Sequence, residues 1–154
     1  WELIVGKLLP YFVIGMLDVS LAMAMGELVF RVPLRGSAAL VFTMGAVFLA
    51  GALSMGIFIS IVAKNQLMAN QLAVITTFVP SFLLSGFTYA IDNMPRPIQA
   101  ITHAVPARYF VALLKGIYLK GVGLEVLGLQ AALLTFFGIA MGLLANRKFK
   151  KKLG

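Results

Sequence analysis

The chain has 154 residues, of which 61% are hydrophobic and 12% charged, and a formal charge of +8. A soluble domain of that length needs far more polar surface to cover its core, so the composition excludes an ordinary globular enzyme and points to an integral membrane protein. The absence of cysteine and the single histidine, His103, exclude disulfides, thiolate chemistry and a His-built metal cluster, and the five basic residues in the last eight positions read as a membrane address rather than a nucleic-acid footprint.

A spanning helix needs roughly 20 mainly apolar residues. The sequence opens on WELIVGKLLPY, read as a short cytoplasmic segment over 1–7 abutting a first span over 8–30, with Pro10 in the first turn of that span. The start at Trp1 rather than Met reads as a piece of a longer chain. Asp18 is the only interior charge of the first span. The connector RVPLRG leads to a second span over 37–62 that has no charge, and AKNQ leads to a third over 67–91. Connectors this short predict antiparallel neighbours. Pro80 lies inside the third span and predicts a kink, because its ring removes one backbone bond and crowds the preceding turn.

Residues 89–110, YAIDNMPRPIQAITHAVPARYF, interrupt the apolar pattern. Pro95 and Pro97 hold Met94 and Arg96 in extended backbone, which stops the third span. Pro97 suits the start of a short helix with Ile98, Ile101, Thr102 and Val105 on one face, and Pro106 ends it. A second short helix follows from Ala107, with Phe110, Leu113, Leu114 and Ile117 on one face. Neither piece is long enough to span. Residues 92–121 therefore predict a re-entrant or amphipathic helical hairpin on the outer side, with a plain surface connector as the simpler reading.

The fourth span covers 122–145, and NRKFKKK within 146–154 forms a basic tail. Four spans put both ends on one side, and the tail assigns that side to the cytoplasm, with Lys7 and Lys64. Arg31, Arg35, Arg96, Arg108, Lys115 and Lys120 then fall outside, against the usual bias. The expected architecture is an all-α integral membrane protein of four transmembrane helices plus the outer hairpin.

Several residues carry candidate roles. A carboxylate in mid-membrane costs about 2.5–3.5 kcal/mol, so Asp18 must face a bundle interior, a partner or a wet cavity, either as a pathway residue or as a packing residue. Glu27 lies within reach of Arg31 or Arg35 and reads as structural. His103 reads as an interfacial hydrogen-bonding group. Gly138 and Gly142 form a GxxxG pair for helix packing, and Ala52 with Gly56 and Gly86 with Ala90 repeat small-xxx-small spacing. GIYLKGVG over 116–123 has the glycine spacing of a phosphate loop, but Val122 stands where Lys is required. No cofactor or metal site is expected.

The order of these features resembles the permease subunits of bacterial ABC exporters of the type-2 kind. The resemblance rests on WELIVGKLLPY, FRVPLRGS (30–37), ISIVAKNQ (59–66), LLSGFTYAIDNMPRPIQAITHAVPARYFVALLKGIYLKG (83–121) and the basic tail. Most specific is the succession SGF…MP…P-x-R-Y-F…KGIYLKG. Family members usually carry Thr where Ala107 or Arg108 stands and Arg where Lys115 stands. The resemblance implies six spans in the whole protein, of which these are the last four. It implies that Trp1, Glu2, Gly6 and Lys7 form a coupling helix seated on a separate ATPase subunit, and that this subunit binds ATP. It implies a second permease copy, as homo- or heterodimer, in a bacterial inner membrane. The hairpin would cap the translocation path, with Asp18, Pro80, Asp92, Pro95, Pro97, Pro106 and Arg108 along the path or its gate.

Two other classes fit the residues alone. One is a membrane assembly or scaffold protein whose basic tail binds anionic lipid. The other is a membrane enzyme on lipid-linked substrates with Asp18 or His103 as a general base. The cargo of a transporter is not written in these spans, since apolar helices with few polar groups suit any amphipathic molecule.

Overall fold

The computed structural model describes residues 2–153, with side chains placed through residue 151. Every regular element among the described residues is helical: α1 is Glu2–Leu28, α2 is Ala38–Val62, α3 is Gln66–Ala73, α4 is Val79–Leu84, α5 is Arg96–Thr102, α6 is Pro106–Lys115 and α7 is Leu124–Leu153. Helices α1, α2 and α7 and the continuous α3–α4 unit are each long and apolar enough to cross a membrane. The chain is an all-α, multi-pass membrane protein.

Three boundaries differ from the sequence reading, each for a local reason. Segment 1–7 is not a separate helix: α1 runs unbroken from Glu2, and Pro10 sits well inside it rather than in its first turn. The N–H that Pro10 lacks would have bonded the carbonyl of Gly6, one turn back. The third span ends at Leu84, not residue 91, because Ser85 and Gly86 terminate it. Gly86 adopts the left-handed φ of +82°, and the Ser85 hydroxyl accepts the Phe87 N–H at 3.3 Å. The basic tail is no separate segment either, since α7 carries Arg147, Lys148, Lys150 and Lys151 as its own last turns. Thirty residues of helix reach about 45 Å, half as long again as a bilayer core.

Pro80 acts through a change of hydrogen-bond register. Between α3 and α4 the helix winds through a π turn, Val74–Phe78, whose last bond runs from the Val79 N–H to the Val74 carbonyl. Pro80 then falls in the first turn of α4, directly after the slip. The Thr77 hydroxyl bonds the Ala73 carbonyl inside the same slip.

The buried core lies at the hairpin end. Val41 and Met44 of α2 meet Leu113 of α6, Ile117 of the π turn that follows it (Gly116–Lys120), and Leu127, Ala131 and Leu134 of α7. Leu113, Ile117 and Leu134 are fully buried, and Phe48 stacks on Phe110 with ring centroids 4.6 Å apart. The apolar face expected over Phe110–Ile117 is therefore a core element, packed among spans rather than laid on the surface. By contrast, the hydropathic windows of α1 and α3–α4 have no buried residue, so these two spans flank the α2–α7 pair.

Within a bilayer the hydrophobic effect does not drive helices together, and close backbone approach does. A Cβ on Gly51 of α2 would stand 3.1 Å from the Gly138 Cα of α7, and one on Gly142 would stand 3.9 Å from the Ser54 hydroxyl. Gly138 and Gly142 thus lie against α2. Gly56 has nothing within 4 Å of its Cβ position, and Gly86 lies past the end of its helix, so neither glycine is a close helix contact. The α1–α2 connector is clamped to the hairpin. A Cβ on Gly36 would stand 2.7 Å from the Ile117 carbonyl oxygen, and one on Gly121, at φ +65°, 3.0 Å from that of Arg35.

Candidate functional site at the helical hairpin

The hairpin begins with backbone set by prolines. Pro95 is the N-cap of α5, and its carbonyl accepts the Ile98 and Gln99 N–H groups at 3.0 Å. Pro97 is the second residue of the helix rather than the first. Pro106 opens α6, where its missing N–H is one of the unpaired donors of a helix start. Two bonds from the Gln99 side chain, to the carbonyls of Met94 at 2.8 Å and Asp92 at 3.5 Å, tie the entry loop to α5.

Arg108 fastens the two short helices to each other. Its Nη1 donates to the hydroxyl of fully buried Thr102 and to the Gln99 carbonyl at 3.4 Å, and it lies 3.0 Å from His103 Nδ1. Thr102 in turn donates to the Gln99 carbonyl at 2.6 Å. His103 Nδ1 also lies 3.1 Å from that carbonyl. The Tyr109 hydroxyl donates to the His103 carbonyl at 2.5 Å.

Two cavities flank the hairpin. One of about 300 Å³ is apolar, enclosed by Phe48, Met55, Pro80, Ile101, Pro106 and Phe137 among others, between the third span, α2, α7 and the hairpin. The other, of about 410 Å³, is polar and opens between the hairpin, the turn after the third span and α7. Asp92, His103, Arg108, Tyr109, Lys115 and Gln130 line it. Lys115 Nζ donates to the Gly86 carbonyl at 2.8 Å, and Gln130 Oε1 is buried with no partner.

The candidate path residues thus divide. Pro80 and Pro106 line the apolar cavity, and Asp92 and Arg108 the polar one. Pro95 and Pro97 shape the hairpin and line neither. Asp18 lies on α1, exposed and away from both cavities. Glu2, Gly6 and Lys7 are exposed on the first turns of α1, while Trp1 lies outside the described residues. Glu27 does not pair with Arg31 or Arg35 as expected. Arg35 Nη1 bonds the Leu119 carbonyl at 3.4 Å, Arg31 takes the left-handed φ of 51°, and the electrostatic neighbour of Glu27 is Tyr118. Burial first and Glu27 second push the Tyr118 hydroxyl pKa above its ordinary value.

The sequence alone does not single out Gln99, Tyr109 or Gln130, and it places Thr102 on an apolar stripe. The usable signal was the run of polar groups at 99, 102 and 103, one turn apart and just before a proline-started helix with Arg at its third position.

The fold defines a class: a helical membrane protein whose third and fourth spans are joined by a proline-started hairpin that enters the core. Comparison with known proteins agrees, and residues 1–119 match the ABC-2 type transporter family. The chain belongs to that family. It is 41% identical over 143 residues to the probable multidrug ABC transporter permease YbhS of Escherichia coli, covering 90% of this chain and 38% of that protein. Against the probable multidrug ABC transporter permease YbhR of the same organism it is 27% identical over 152 residues, 99% of this chain and 41% of the relative. The inner membrane transport permease YhhJ is 32% identical over 126 residues, 82% of this chain and 33% of its own length. The chain therefore spans about two fifths or less of these relatives. No solved structure matches it.

Proposed function

We propose that the chain is the transmembrane part of an ATP-driven exporter permease, contributing to the translocation path and coupled to a separate ATPase subunit. Family membership supports the transport role. The observation that supports the coupling is the continuity of α1: Glu2, Gly6 and Lys7, exposed at one end, lie on the same helix as Asp18, with Pro10 between them. A displacement of the first turn is passed along a helix about 40 Å long. ATP shifts the permease between states only through contacts that differ between them, and this end is free to make such contacts. A second permease copy completes the path, and uncovered apolar faces on α1 and α3–α4 suit such a neighbour or lipid. The inner membrane, with both ends of the chain on the cytoplasmic side, is the location that fits the basic last turns of α7. The names of the relatives favour an amphipathic, drug-like cargo.

The test is purification of the full-length permease from its own membranes in mild detergent, with co-purifying proteins identified and ATP hydrolysis assayed. A stoichiometric ATPase, whose stimulation falls in the Glu2→Arg, Lys7→Glu double variant, supports the reading. A permease that carries no nucleotide-binding partner overturns it and favours the scaffold class.

A further inference from the structure

We infer that the polar cavity beside the hairpin binds the head of an anionic glycerophospholipid, with its acyl chains lying along α7. Two independent features meet there. First, two fixed cations face one carboxylate: Arg108 and Lys115 line the cavity with Asp92. Among the described residues, both cations bond only neutral groups. Arg108 commits Nη1 to Thr102, Gln99 and His103, which leaves Nη2 and Nε for a ligand. Lys115 uses one proton on the Gly86 carbonyl and keeps two. Unspent donors on uncompensated cations suit a phosphodiester oxygen.

Second, an apolar stripe on α7 runs past the cavity. Val126, Leu129, Leu133 and Phe136 follow at three- and four-residue spacing, at 66%, 69%, 36% and 71% exposure. Leu129 and Leu133 also line the cavity itself. A free anion has no use for that stripe, and an acyl chain does.

The inference does not depend on ATPase coupling, so it is tested without the ATPase or nucleotide. The full-length permease is purified in neutral detergent with Arg147, Lys148, Lys150, Lys151 and Lys152 changed to Gln, which removes the charge of the basic tail. Binding of a fluorescent phosphatidylglycerol is measured against phosphatidylcholine of the same chains and against inorganic phosphate. Phosphatidylglycerol is expected to bind at least about tenfold more tightly than phosphatidylcholine, and Arg108→Gln or Lys115→Gln to weaken it about tenfold, the scale of one charge-assisted bond. Asp92→Asn should tighten binding. Leu129→Trp should weaken it while leaving every hairpin hydrogen bond in place, so these two variants decide the matter if the cation variants fail to fold. Equal binding of the two lipids, or indifference to both Asp92→Asn and Leu129→Trp, overturns the inference. Displacement by millimolar inorganic phosphate without preference for acyl chains shows a small-anion site and overturns it equally.

Discussion

Lys115 Nζ reaches the Gly86 carbonyl oxygen at 2.8 Å, joining the second hairpin helix to the turn that ends the third span. Gly86 holds a left-handed backbone there, so the bond pins a turn whose shape only glycine adopts freely. Lys115→Met keeps the apolar stem and removes the bond. Because Lys115 is largely exposed, the expected loss is small, about 1 kcal/mol. Hydrogen exchange at residues 85–90 should rise in the variant while exchange in α7 stays as it was. Unchanged exchange at 85–90 would show that the turn is held by its backbone alone.

Helix packing gives a second, sharper contrast. A Cβ on Gly138 would meet only ordinary contacts, the nearest at 3.5 Å, whereas one on Gly51 would stand 3.1 Å from backbone and 3.3 Å from the Phe137 ring. Gly138→Ala is therefore expected to be neutral or to stabilise by up to about 1 kcal/mol through helix propensity. Gly51→Val should cost about 1–3 kcal/mol by forcing α2 and α7 apart. Thermal unfolding in a single detergent compares the two. Equal effects at both positions would mean that α2 and α7 do not meet at these glycines.

The spans and the hairpin were legible in the sequence because each rests on a count or a break: about 20 apolar residues for a span, and prolines that stop the helix at 94–95, though Arg96, expected to be extended, already opens α5. What the count does not contain was lost. Pro80 announces a disturbed helix, but the register slip at Val74–Phe78 depends on which carbonyl each N–H selects. Nothing between Lys7 and Leu8 or within 146–153 breaks a helix, so two boundaries drawn from charge alone dissolved into α1 and α7. The polar cavity needs Gln130 beside Lys115 and Gly86, three residues from separate elements. Likewise Gly36 lies close to Ile117, 81 positions further on, and no local pattern connects them.

Asp18 supplies a third prediction. It is exposed on α1 and has no hydrogen bond among the described residues, so nothing in this part of the chain depends on its carboxylate. Removing an unpaired charge from a membrane-crossing helix also removes its insertion cost. Asp18→Leu in the full-length permease should therefore leave thermal stability unchanged within about 0.5 kcal/mol, or raise it. Transport should fall sharply, because a wet or partner-facing carboxylate is what the exporter reading needs at that depth. A destabilised variant would instead make Asp18 a packing residue against a surface beyond residues 2–153.

Tyr118 connects the hairpin to α1 electrostatically, and its sign can be followed through. Burial and the Glu27 carboxylate both favour the neutral phenol, so the folded pKa lies above the unfolded value of about 10. The stabilisation this provides is fully present below about pH 10 and is lost as pH rises through the folded pKa. Tyr118→Phe cannot ionise, so it should retain more of its stability than the parent above that pH and lose the corresponding tyrosinate absorbance. Glu27→Gln removes the smaller cause and should move the Tyr118 ionisation part of the way back toward the ordinary value. The check is the near-ultraviolet tyrosinate titration of the three proteins side by side. If Glu27→Gln leaves the Tyr118 step where it was, the end of α1 does not face the hairpin, and the clamp at Gly36 and Gly121 would have to hold the two together alone.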